Sequence, residues 1–320
     1  MILQATLPFS SFPKEYAIKV GDEYICSFCD GGYVNNLLSY HDDRADYSVF
    51  HDVGIDGKSN TEYDNSKLYM GFEDEIDLGF RGSGLVKNIN SKFDHIFCMH
   101  DGSLSDAGIE LISQPATLEW HEKYGNYDEL LKMCRQRDYN ECDGCGLHVH
   151  VSRAFFGEGD TGSYNIAKLI LLVKKFWDNR IVPFTRRDRC ALNEWAELNF
   201  TETVYKSDSR KTVIEKVVEE SDRAGRYLAI NTQNDNTIEF RIFKNTTDYA
   251  TLIGTLQFVD AICRYVKSHT LDEIDQCKWE DVFADNMHDE MEEELVYYTG
   301  FNPDYPHHDD KVYGTELPFD

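Results

Sequence analysis

The stretch GCGLHVHVSRAFFG, residues 144–157, constrains the fold more than any other. Leu147, Val149 and Val151 alternate with His148 and His150. Strict alternation of apolar and polar residues is the pattern of a strand with one buried face. Residues i and i+2 of a strand point to the same side, so both imidazoles project from the face opposite the apolar residues. Taken alone, the segment suits an edge strand with two solvated histidines as well as it suits a site.

The flanking sequence supplies partners for such a strand. LYMGFEDEIDLGF, DHIFCMHDGSL, GIELISQPATL, RYLAINT and NTIEFRIFKN all read as strands, the last two separated by the turn-like QNDN. YDELLKMCRQRD reads as a short helix. SYNIAKLILLVKKFWD places Ile166, Leu169, Ile170, Val173 and Trp177 on one helical face, with Ser163 as N-cap. RKTVIEKVVEESDRAG is a helix that Gly225 can end, and DYATLIGTLQFVDAICRYVKSH is a long one with Leu252, Leu256, Val259, Cys263 and Val266 on one face. Strands fall in groups with helices between the groups. This predicts an α+β fold with a largely antiparallel sheet and helices on one face.

Three regions follow: an irregular N-terminal accessory region over residues 1–66, a domain of alternating strand-like and helix-like segments over 67–269, and an acidic, helical C-terminal extension over 270–320. The extension carries HDEMEEEL and the tail NPDYPHHDD. A net charge of −26 disfavours a bare phosphate backbone as partner, so no direct nucleic-acid binding is expected. Cationic or amine-bearing partners are better tolerated. No apolar run approaches the roughly 20 residues that span a bilayer, and the N-terminus lacks a secretory pattern. The nine cysteines are odd in number and scattered, so a disulfide framework is not expected and a cytoplasmic location fits.

Charged residues recur on the strand faces. Glu73, Glu75 and Asp77 lie at period two and share a face, which fits either water or a cation. Glu110 points opposite Ile109 and Leu111. Glu239 and Arg241 share a face opposite Ile238 and Phe240, as a structural ion pair or as a metal ligand beside a phosphate clamp. In order, Glu-x-Glu, Glu, His-x-His and Glu-x-Arg would line one sheet face with the groups that two or more metal ions and a nucleoside triphosphate require.

Taken together, GFEDEID, DGSLSDAGIELIS, CGLHVHV, TRRDRCALNEW and RYLAINTQNDNTIEFRIFKNT resemble the amidoligase family, within the glutamine synthetase-like carboxylate–amine ligases. The resemblance spans about residues 67–269. It implies a glutamine synthetase-like sheet, ATP and Mg as cofactors, and amide formation between small-molecule or peptide carboxylate and amine substrates through an acyl phosphate. By the same resemblance Glu73, Glu75 and Glu110 are metal ligands, and His148 and Glu239 are ligands of a second metal. His150 faces the nucleotide phosphates and Arg241 the transferred phosphoryl group, while Arg186, Arg187 and Asn231 serve substrate or phosphate. Asp74 departs from the pattern, standing where the family has an apolar residue. An oligomer is compatible with all of this and required by none of it.

Cys26 and Cys29 form a C-x-x-C pair that can be half of a structural zinc site, with His41 and His51 or Cys142 and Cys145 supplying the rest; unliganded thiols are the plainer reading. A cupin-type His-x-His site needs Glu soon after the second His, where Ala154 stands. A hydrolase barrel would place its His-x-His on the first strand. The rival from another class is a binding or scaffold protein that keeps the fold without turnover.

Overall fold

The computed structural model describes residues 17–20, 23–26, 37–38, 46–53, 63–77, 82–198 and 204–284. β1 (Ala17–Val20) and β2 (Glu23–Cys26) make a small antiparallel pair. The main sheet contains β3 (Met70–Ile76), β4 (Ile96–Met99), β5 (Ile109–Ser113), β6 (Gly146–Ser152), β7 (Ile230–Asn231) and β8 (Thr237–Lys244). Its order is β4-β5-β3-β6-β8-β7 and every pairing is antiparallel. The helices are α1 (Gly82–Lys92), α2 (Leu118–Tyr124), α3 (Tyr127–Arg135), α4 (Gly159–Phe176), α5 (Val182–Thr185), α6 (Arg189–Trp195), α7 (Arg210–Ala224), α8 (Tyr249–Ser268), α9 (Leu271–Gln276) and α10 (Trp279–Ala284). The α+β architecture expected from the sequence is the one present.

The alternation read in the sequence sorts the two sheet faces. Phe72, Val149, Val151, Ile238 and Phe240 are fully buried and join α4 and α8 in a single apolar cluster. Burying one such side chain stabilises the fold by about 1.5–3 kcal/mol. On the other face a smaller apolar cluster of Leu38, Phe97, Met99 and Ile112 covers the β4–β5 margin. The centre of that face is left to polar groups.

Local chemistry sets the element ends. Asp248 caps α8 by accepting from the Thr251 N–H at 2.9 Å, and Ser209 caps α7 through Thr212. Gly225, at φ +102°, ends α7 as its sequence suggests. α4 begins at Gly159, earlier than the Ser163 cap read from the sequence. A glycine is needed in its first turn at position 162, where a Cβ would lie 2.1 Å from the Gly157 carbonyl oxygen. RYLAINT contributes only the two-residue β7. Residues 271–284 pack back on α8, with Trp279 and Phe283 against Phe258. HDEMEEEL and the tail lie outside the described residues, as do His41 and Cys29; of Cys26 only the backbone, at the end of β2, is described.

His121 ties α2 to the sheet. Its Nε2 donates to the Met70 carbonyl at 2.8 Å, so Nδ1 accepts from the Tyr127 hydroxyl at 2.7 Å. Burial outweighs the Met70 bond and lowers its pKa to about 4. The folded state therefore holds the neutral ring. That contribution is complete above the unfolded pKa near 6.5 and is lost as pH falls towards 4, a difference of about 3 kcal/mol. Urea titrations of the native chain and His121→Gln at pH 7.5 and 4 check this: the native chain should lose about 3 kcal/mol more than the variant, and parallel losses would contradict it.

Candidate active site

Five adjacent strands bring their polar and charged residues to one face. β3 is central, and register does the placing: Glu75 lies directly across from Glu110 of β5, and Glu73 across from His148 of β6. His150 lies across from Glu239 of β8, which in turn pairs with Asn231 of β7. Between Val149↔Phe240 and Leu147↔Phe243, β8 carries one residue more than β6. This bulge sits at Arg241 and Ile242, where such an irregularity re-aims side chains.

The ligand-type atoms gather into two trios. In each, the candidate ligand atoms lie within 4.8 Å of one another: Glu73, His148 and Glu239 in the first, and Glu75, Asp101 and Glu110 in the second. In the first, His148 Nδ1 is 3.4 Å from Glu73 Oε2 and 3.6 Å from Glu239 Oε1. His150 Nε2 is 3.3 Å from Glu73 Oε1 and 4.0 Å from Glu239 Oε1. The all-oxygen second trio suits a hard cation such as Mg2+, and the mixed first trio accepts Mg2+ or a softer divalent ion. Buried like charges at this spacing repel strongly unless a cation lies among them, so the residues present fit divalent metal ions.

Neighbouring groups hold the two carboxylates of the first trio ionised. Burial raises the Glu73 pKa, but His150 and His148 outweigh it and hold that carboxyl well below the usual range. Burial likewise opposes charge on Glu239, and His150, Arg241 and His148 together lower its pKa. For His150 burial lowers the pKa, but Glu73 and Glu239 raise it to about 9. A divalent ion in the first trio would add positive charge beside His150 and oppose its protonation.

Donors then fix the trios. Arg241 Nη1 bonds Glu239 Oε1, while Asn231 and Asn234 donate to Glu239 Oε2 at 2.7 and 3.3 Å. The Gly146 N–H donates to Glu75 Oε2 at 2.6 Å. Arg187 lies along the same edge, donating to the Arg241 carbonyl at 3.3 Å; burial chiefly, with Arg241 and Arg186 adding to it against Glu75, lowers its pKa to about 10.

The structure thus brings together Glu73, Glu75, Glu110, His148, His150, Asn231, Glu239, Arg241 and Arg187. It pairs Glu73 with His148 and Glu239 rather than with Glu75 and Glu110. Arg186 is turned elsewhere by its left-handed backbone (φ +60°): its Nη2 donates to the Lys244 carbonyl at 2.8 Å and its Nη1 lies 3.8 Å from Glu141. Asp77 leaves the carboxylate row to accept from Ser105 N–H and Oγ at 2.9 and 2.5 Å. Asp74, where the sequence resemblance implied an apolar residue, is fully buried on the apolar face. Burial raises its pKa well above the ordinary value, against the bond it accepts from the Thr246 N–H at 3.1 Å.

One cysteine reading changes. Cys142 and Cys145, offered by sequence as zinc ligands, are joined to each other in a disulfide just before β6; two bonded sulfurs have no thiolate for zinc. His51 stacks on Trp120 with ring centroids 4.3 Å apart, and its Nε2 is 2.6 Å from Gln114 Oε1. The Cys26–Cys29 zinc expectation falls on side chains outside the described residues.

Sequence reasoning missed Asp101, although the DGS segment containing it was singled out, because a loop residue has no periodicity to place it. It also missed a cavity of about 1000 Å3 beside the first trio, walled by Tyr47, Phe50, Tyr63 and Tyr69 and floored by Glu73 and His150.

The chain matches the family described as "putative amidoligase enzyme" over residues 34–263, well over half its length, and belongs to that family. No curated protein matches it. Membership carries a ligase-type enzyme as the coarse function. Among the described residues no helix is long and apolar enough to cross a membrane.

Proposed function

We propose that this sheet face binds ATP and two or more Mg2+ ions, and joins a carboxylate to an amine through an acyl phosphate. The observation that carries the reading is the pair of three-ligand clusters on neighbouring strands, flanked by Arg187 and Arg241. Family membership supports the ligase class.

The substrate carboxylate oxygen attacks the γ-phosphorus and the bond to ADP breaks. The amine nitrogen then attacks the acyl carbon, the carbon–oxygen bond to phosphate breaks, and phosphate leaves with the electron pair while the nitrogen sheds a proton. Metal ions bound by the trios would neutralise phosphoryl charge. Arg241 sets a guanidinium beside the first trio, braced by Glu239 and by the Tyr227 ring 5.7 Å away. A fixed cation of this kind stabilises charge that develops on a transferring phosphoryl group. Asn231 and Asn234 hold Glu239 against that pull. Arg187 extends the positive edge towards the second trio.

Titration of the native chain and Arg241→Ala with ATP in excess Mg2+ tests the placement. A loss of affinity of about tenfold or more in the variant is expected for a charge-assisted phosphate contact; equal affinity would remove the phosphates from this edge.

A further inference from the structure

The aromatic cavity has a charge character opposite to that of the arginine edge. Phe50, Tyr63 and Tyr69 form a three-ring cluster with centroids 4.8, 5.1 and 5.4 Å apart. Tyr47 extends the wall towards the site: burial first, then the charges of Glu73 and Glu110, raise its pKa. Glu158 and Asp235 stand exposed among the lining residues, and Glu73 lies at the floor. Arg153, the lysine- or arginine-type cation among the described lining residues, directs its guanidinium to the backbone carbonyls of Asn234 and Thr232. His150 is paired with Glu73. The cavity lies at the Met70–Ser152–Thr237 end of β3, β6 and β8, whereas Arg187, Gly146 and Glu75 lie at the other end.

We infer that this cavity takes the amine substrate, as a protonated primary amine carried on an aromatic or long aliphatic body. The assignment of the ligand as a substrate rests on the amide-ligase reading above; the binding itself does not. Phenol and phenyl faces attract an ammonium group, and carboxylates at rim and floor add to that attraction. The largely apolar wall needs an apolar body to fill it. A polyphosphate meets the Glu73, Glu158 and Asp235 carboxylates here, with His150 paired to Glu73 and Arg153 turned to backbone carbonyls. It finds two guanidinium groups together at the Arg187–Arg241 edge, so nucleotide and amine enter from opposite ends of the strands and meet at the first trio. The chain's net charge of −26 also favours a cation arriving from solution.

Calorimetric titration of the full chain with 2-phenylethylamine, 1,5-diaminopentane and the neutral control 2-phenylethanol tests this. At least one amine should bind, about tenfold or more tighter than the alcohol. Phe50→Ala should weaken the amine about tenfold, and the exposed Glu158→Gln, which does not threaten folding, severalfold. Neither change should alter Mg–ATP affinity. Two results would overturn the inference: no preference for amine over alcohol, or Phe50→Ala weakening ATP instead, which would put the nucleobase in the cavity. Amine binding without any ATP binding would sink the amide-ligase reading and leave the cavity assignment standing. ATP binding without amine binding would do the reverse.

Discussion

Glu239→Gln is expected to lower Mg2+-dependent ATP consumption about 1000-fold while leaving the fold intact. One carboxylate joins most of the site. Its Oε1 meets Arg241 and lies 3.6 Å from His148 and 4.0 Å from His150, and its Oε2 accepts from Asn231 and Asn234. Glutamine keeps the volume but removes the charge, and its amide nitrogen must face donors on one side or the other. The first trio then loses an anionic ligand, and Arg241 loses its brace. Removing one preorganised charge-stabilising group costs about 100- to 1000-fold in turnover, and loss of a metal ligand adds to that. ADP release under saturating Mg2+ measures it, with circular dichroism as the fold control. A variant within threefold of the native chain would assign the chemistry to other residues.

Phe240→Ala is expected to destabilise the protein by about 3–5 kcal/mol. Phe240 separates Glu239 from Arg241 in sequence and points the other way, fully buried in the main apolar cluster. It is paired with Val149 and with Ile230, so the truncation opens a void beneath the strands that carry the site. Denaturant midpoints at pH 7 would report the loss. A change under about 1 kcal/mol would mean that the helices do not pack on this face as described.

What the sequence disclosed and what it hid have a common physical cause. Alternation fixes the face of each strand residue, so Glu73, Glu75, His148, His150, Glu239 and Arg241 were legible as one surface before any coordinates. Register is not written in alternation. The pairing of Glu73 with His148 depends on which residues face each other across β3 and β6, and so the first trio draws its carboxylates from two different strands. Arg186 and Arg187 looked equivalent as neighbours, yet a left-handed backbone at Arg186 sends the two guanidinium groups to different partners. Asp101 and the aromatic cavity come from loops, where no period indicates direction. α1 was missed because GSGLVKNINSK carries two glycines and two asparagines of low helical preference. Packing of Leu85, Val86 and Ile89 in the core overrides that preference.

The central claim is that this face is a metal-dependent nucleotide site, and the most direct measurement is ATP binding by the native full chain with Mg2+ and then with the metal chelated. The account predicts saturable binding in Mg2+ that is lost on chelation and restored when the metal is returned. Absence of binding in both conditions, or binding indifferent to the metal, would contradict it.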